Sequence, residues 1–262
     1  MTLMRIATWN VNSLKVRLGR LEEWLGYAQP DVICLQETKL ADAAFPGMDM
    51  ERLGYEWAHH GSGRWNGVAI LSRVGIENVR TGFDDGHDDE PSEARVITAD
   101  CGGVQVTSVY VPNGRSLDDE MYRMKLDWLD RLHDFIAGSS KAGDEVAVCG
   151  DFNVAPHDID VYSPKAFAGS THVSDDERKR VQRLLDWGMV DAFRSRWSQE
   201  KLYSWWDYRA GNFHKGFGMR IDHILLSKPL ADNVSFALID RNARKGQLPS
   251  DHAPLFVDVE AS

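Results

Sequence analysis

Val146-Ala147-Val148-Cys149-Gly150-Asp151-Phe152-Asn153 is a short apolar run that climbs to a glycine and then presents a carboxylate and a carboxamide two residues apart. The run is too short for a helix and reads as a buried strand. Side chains alternate across a strand, so Asp151 and Asn153 face one way and Phe152 the other. Two oxygen donors at the end of a buried strand form half a site for a divalent cation or an activated water. The same residues also suit an ordinary Asp- and Asn-rich turn. Recurrence of the pattern elsewhere in the chain decides between the two.

It recurs at Asp31-Val32-Ile33-Cys34-Leu35-Gln36-Glu37, another apolar run closing on an acid. Each run follows an amphipathic segment. Leu14, Leu18, Leu21 and Leu25 share one helical face before the first, and Tyr122, Leu126, Leu129, Leu132 and Ile136 do so before the second. The acids Asp118 to Glu120 suit the amino end of that second helix. A third helix opens at Ser174-Asp175-Asp176-Glu177, a capping box, and stops at Gly188. Further strand-like runs are Arg5–Trp9, Gly67–Leu71, Ala94–Thr98, Val104–Val111, Ile221–Leu226 and Leu255–Val259. No Gly/Ser- or Pro-rich linker divides the chain. The expected fold is α/β (α+β): one domain, residues 1–262, built as a four-layer sandwich of two packed mixed β-sheets flanked by helices.

Composition narrows the classes. A hydrophobic content of 43% with 27% charged residues is that of a globular protein, and no apolar run approaches the roughly 20 residues that span a bilayer. No membrane association and a cytoplasmic location are expected, because the amino terminus lacks a signal-like apolar stretch. Cys34, Cys101 and Cys149 have no metal spacing and read as reduced core residues. The net charge of −10 includes six acids between Thr81 and Glu93, most simply a solvated loop, and the remainder carries −4. That balance argues against nonspecific coating of DNA but leaves room for a focused site.

The polar residues that close the apolar runs are Asn10, Glu37, Tyr110, Asp151 with Asn153, Asp222, and Asp251 with His252. A carboxylate in an apolar run needs solvent, a partner or a metal, and Asp222 inside such a run is suited to orient a histidine. Together these are the parts of a metal-assisted hydrolase. No P-loop and no GxSxG motif is present.

The motifs Thr8-Trp9-Asn10-Val11-Asn12, Leu35-Gln36-Glu37-Thr38-Lys39, Asn66-Gly67-Val68-Ala69-Ile70, Gly150-Asp151-Phe152-Asn153-Val154-Ala155-Pro156, Trp205-Trp206-Asp207-Tyr208-Arg209, Arg220-Ile221-Asp222-His223 and Ser250-Asp251-His252-Ala253-Pro254 resemble, in order, those of the exonuclease III family. These are apurinic/apyrimidinic endonucleases of the endonuclease/exonuclease/phosphatase superfamily. The resemblance implies a Mg²⁺-dependent nuclease, with Mn²⁺ as an alternative ion, acting on double-stranded DNA that carries abasic sites or 3′ ends; a monomer is the default expectation. It implies that Glu37 is the principal metal ligand, within a set comprising Asn10, Asp151, Asn153, Asp251 and His252. Asp151 would activate water with help from Asn153, His252 would donate to the phosphate under orientation by Asp222, and Tyr110 would also face the phosphate. Trp205, Met219 and Ile221 match the positions of a pocket for an extruded sugar. DNA-backbone contacts are expected from Arg244, Lys245 and Arg241, with Arg209, Arg220, Arg64, Arg115 and Lys215 as further candidates. The alternatives are a phosphodiesterase or phosphatase with this fold and another substrate, or a noncatalytic DNA-binding scaffold.

Overall fold

The strand-like runs rich in β-branched residues pair into two six-stranded sheets. A computed structural model describes residues 2–86, 94–141 and 143–261. The acidic run read as a solvated loop falls, from residue 87 onward, outside the described residues. The first sheet holds β1 (Thr2–Asn10), β2 (Val32–Gln36), β3 (Glu56–His60), β4 (Val68–Ser72), β11 (Val234–Ile239) and β12 (Leu255–Ala261), in the order β11-β12-β1-β2-β4-β3. The second holds β5 (Glu77–Thr81), β6 (Val96–Cys101), β7 (Val104–Tyr110), β8 (Val146–Asp151), β9 (Met189–Asp191) and β10 (Asp222–Ser227), in the order β5-β6-β7-β8-β10-β9. Each sheet has one parallel pair, β1 with β2 and β7 with β8, and its other pairs are antiparallel.

Each parallel pair is joined by one of the helices expected from the apolar stripes. Helix α1 (Leu14–Ala28) joins the first pair and buries Leu14, Leu21, Trp24 and Leu25. The short α2 (Gly47–Arg52) precedes β3, and α3 (Glu120–Ser139) joins the second parallel pair. Asp119 caps α3 by accepting from the amide of Met121. Its Trp128, Leu129, Leu132 and Ile136 are buried, each contributing about 1.5–3 kcal/mol relative to exposure. The short α4 (Pro164–Phe167) leads into α5 (Asp175–Trp187), which begins at the expected capping box and ends at Gly188. Two more single-turn helices, α6 (Asn212–Lys215) and α7 (Lys228–Ala231), sit in later loops.

An apolar layer that includes Ile6, Cys34, Ile70, Val106, Cys149, Ile224 and Val257 lies between the sheets, and the three cysteines are free and buried in it. A second apolar cluster packs α1 on the outer face of the first sheet, and a third packs α3 and α5 on the outer face of the second. This is the expected four-layer sandwich. The strand plan that the two sheets share, a parallel pair between antiparallel neighbours, is circularly permuted in the first: β11 and β12, from late in the chain, complete the sheet that β1 begins.

The two catalytic-type motifs therefore end on one rim. In the first sheet Asn10 pairs with Gln36, one residue before Glu37. In the second, Tyr110 and Asp222 both pair with Asp151. Gly150 is required there because a Cβ at that position would lie 1.9 Å from the carbonyl oxygen of Val109.

Candidate active site

The central contact crosses from one sheet to the other. Asn10, wholly buried at the end of β1, donates from Nδ2 to Glu37 Oε1 and to Asp151 Oδ2, each at 2.9 Å. Oxygens of Glu37 and Asp151 and a ring nitrogen of His252 lie within 4.8 Å of one another. Glu37 stands just past β2 in the left-handed region, with φ 51°. Its carboxylate also pairs at 2.9 Å with the ammonium of Lys39 and stands near the Tyr110 hydroxyl. Burial first, and then the charge of Glu37, push the Tyr110 phenol up, so it stays a donor.

His252 sits in the turn before β12. Its Nδ1 faces Asp222 Oδ2 at 2.8 Å, and its Nε2 lies 3.8 Å from Asp151 Oδ2. Burial opposes charge on this ring, but Asp222 and Asp151 outweigh it and raise the imidazole to about 10. His252 is thus an imidazolium whose Nδ1–H is held by Asp222 and whose Nε2–H is free to donate. Burial has the opposite effect on Asp151: it lifts the carboxyl to about 7, although His252 and the Asn10 amide favour the anion. A buried acid tuned near neutrality beside a held imidazolium is an acid–base pair.

The turn carrying His252 is tied down from several directions. Ser250 Oγ donates to the carbonyl of Asn10 at 2.7 Å, and Trp9 Nε1 donates to that of His252 at 3.1 Å. Asp251 lies outside the three-residue cluster. It accepts from Asn12 Nδ2 at 2.8 Å and Trp205 Nε1 at 3.1 Å. Burial works against its charge, yet His252 and these donors hold it below the usual carboxylate range. Asn153 meets the cluster through its backbone. Its amide donates to Asp151 Oδ1 at 2.9 Å, and its Nδ2 to the carbonyl of Val111 at 2.9 Å.

Trp205, Met219 and Ile221 do come together beside this centre, packed with Ala155 and Val161, and Trp205 bridges to both Met219 and His252. The expected backbone-contacting bases divide. Arg209 and Lys245 are exposed, although Arg209 is paired with Asp207 at 2.6 Å. Arg244 is buried, held against the carbonyl of Ser250 with its guanidinium between the rings of Tyr208 and Phe213. Arg220 is a correction. It is wholly buried, bonded to Asp160 at 2.7 Å and to Asp191 at 2.8 Å, and cannot reach DNA. A guanidinium taken out of water must be paired, and those two carboxylates pair it. Arg220→Ala would leave Asp191 without its guanidinium and buried Asp160 with Arg194 alone, so we expect a loss of about 3 kcal/mol in chemical denaturation. A variant of wild-type stability would refute that account.

Sequence reasoning also passed over Lys39 and Asn12. Lys39 Nζ bonds Asn12 Oδ1 at 2.7 Å as well as Glu37, so the two link Glu37 to Asp251 through side chains. A lysine two residues after the lone carboxylate was the available signal.

Residues 7–252 match the endonuclease/exonuclease/phosphatase family. Exodeoxyribonuclease III of Haemophilus influenzae is 34% identical, the match covering 98% of this chain and all of that one. The structure of an AP endonuclease from Archaeoglobus fulgidus superposes with a TM-score of 0.94 at 38% identity, covering 98% of this chain and 100% of that one. A 3′ phosphatase from Neisseria, solved with a product DNA hairpin, gives 0.95 at 37% identity with the same coverage of each. Two stacked sheets with an acid–imidazole centre at their shared rim thus define a hydrolytic nuclease of the DNA-repair class. The chain belongs to the endonuclease/exonuclease/phosphatase family, in its exonuclease III and AP endonuclease branch.

Proposed function

We propose that this nuclease hydrolyses the phosphodiester 5′ to an abasic site in duplex DNA, with Mg²⁺ as the preferred ion. The observation that carries the reading is the continuous contact Asp222–His252–Asp151–Asn10–Glu37 beside the apolar group Trp205, Met219 and Ile221. A nucleotide without a base leaves the stack at small cost, and apolar side chains beside the centre suit its sugar. Asp151 would take the proton of the attacking water. His252 would donate from Nε2 to a phosphate oxygen as negative charge develops there, with Asp222 fixing the ring. Tyr110 would add a second donor.

The donor set fits a hard divalent cation. Glu37 and Asp151 supply carboxylate oxygens, whereas a doubly protonated His252 offers no lone pair. Glu37 would be the main holder, with Asn10 and Asp151 beside it, and Asp251 and Asn153 would act through their hydrogen bonds. When bound, the cation would neutralise charge on the phosphate. Exposed Arg209 and Lys245 would position the duplex without reading its sequence. We further propose one domain over residues 1–262, acting as a cytoplasmic monomer. The three cysteines are free and buried, and among the described residues no helix is long and apolar enough to cross a membrane.

The test compares three substrates in Mg²⁺ and in chelator: a duplex with one abasic analogue, the intact duplex and a 3′-recessed duplex. Incision confined to the abasic duplex and abolished by chelator is expected. Equal cutting of abasic and intact duplexes would sink the reading. The likeness to the Neisseria 3′ phosphatase favours 3′-end processing as a second activity of the same centre, which the recessed substrate measures.

A further inference from the structure

Behind the Asp151–Asn153 turn lies a charged pair that the chemistry above does not use. Lys125 of α3 and Glu177 of α5 have no side-chain exposure and are bonded to each other. The lysine stands on the apolar stripe of its helix, between Tyr122 and Trp128, where an aliphatic residue would suffice for packing. Its ammonium also donates to the backbone carbonyl of Asn153 at 2.7 Å and reaches that of Asn113 at 3.3 Å. Glu177 is more than the helix cap read from the sequence. It accepts from Thr171 Oγ1 at 2.8 Å, the amide of His172 at 2.9 Å and the amide of Ser174 at 3.0 Å. The pair therefore gathers three loops: the one after β7, the one after β8 and the one before α5.

What it gathers matters because of Asn153. This residue leaves β8 in the left-handed region, with φ 51°, and its amide bonds Asp151 Oδ1. That backbone strains a non-glycine residue, Asn less than most, so the bonds around Asn153 help to hold it. Lys125, beside His172 Nδ1, fixes the peptide unit that follows Asn153 by its carbonyl.

We propose that Lys125 is a positioning residue: anchored by Glu177, it holds the Asn153 carbonyl and thereby sets the orientation of the Asp151 carboxylate. The inference rests on the proposed role of Asp151 as base. Four variants of the full chain separate this from plain structural support. Glu177→Gln keeps the lysine and its bond to Asn153, so kcat on the abasic duplex stays within about threefold of wild type, whatever the loss in Tm. Lys125→Met/Glu177→Gln removes both charges together and avoids leaving one buried alone. Its kcat falls about 10- to 100-fold relative to Glu177→Gln with KM within twofold, the scale expected when a reacting group is misplaced by about 1 Å. Lys125→Arg keeps the donors and restores at least a fifth of wild-type kcat. Lys125→Gln, which can bond Glu177 but stops short of Asn153, covers the case in which the double variant does not fold, with the same loss expected. Equal kcat in Glu177→Gln and in the lysine-less variant overturns the proposal.

A substrate-free measurement keeps the two readings apart. Hydrogen exchange of the Asn153 amide should quicken at least tenfold without Lys125 while the middle of α3 keeps its protection. If wild type fails on the abasic duplex, the functional reading falls and exchange still decides the positioning. Unchanged exchange at Asn153 refutes the proposal independently of any activity.

Discussion

Asp151→Ala is expected to fold, to bind an abasic duplex with little change in Kd, and to lose roughly 10²–10⁴-fold in single-turnover rate. The buried carboxylate is the only group of the centre that burial lifts to about 7, and it faces both the Asn10 amide and the His252 imidazolium. A base near neutrality balances its ionised fraction against its affinity for the proton it removes. Folding should survive because the fold bears a cost for this charge. An acid whose folded value lies above its unfolded one binds more protons when folded, so its favourable contribution is complete at low pH. That contribution is lost as pH rises through about 7. Above that pH the alanine variant no longer carries the cost. Cleavage of the abasic duplex and a thermal melt at pH 8 check both halves, and a residual rate within tenfold of wild type would remove Asp151 from the role of base.

Asp222→Asn should cut the rate by a similar roughly 10²–10⁴-fold and also change its pH dependence. In the wild type, log kcat/KM should rise toward about 7 as Asp151 ionises and fall again near 10 as His252 loses its proton. A bound cation favours the carboxylate and would draw the acid limb to lower pH. Asp222 is the first of the groups that raise His252 against burial. Without its charge the imidazolium is less favoured, so the alkaline limb should move downward while the acid limb stays nearly in place. An alkaline limb that remains near 10 would show that His252 is not the titrating donor. His252→Ala should remove that limb and cost about 10²–10³-fold.

What was legible in the chain follows from where each element sits. The eight strands read from apolar runs correspond to the eight interior strands of the sheets. The four that escaped reading, β3, β5, β9 and β11, are the four edges. An edge strand is paired on one side and wetted on the other, so it need not be apolar. β5 is exposed at every position, and both β5 and β11 pair with a register shift. The centre was legible because its members close interior strands, where an acid or amide stands out against apolar neighbours. The burial of Arg220 was not legible. It depends on Asp160 and Asp191, one 60 residues away on the chain and both brought in only by folding. Lys125 was hidden for the same reason, since its partner Glu177 lies 52 residues on and already had a local explanation as a cap.

The permuted first sheet has a consequence for the protein's synthesis. Asn10 and Glu37 come from the start of the chain, yet the imidazole that completes their centre is residue 252, in the turn before the strand that pairs with β1. A chain still being made holds β7, α3 and β8 well before it holds His252 and the strand that follows it. On the proposed roles, a product cut short before residue 252 lacks both the phosphate donor and β12, and is expected to leave the abasic duplex uncut.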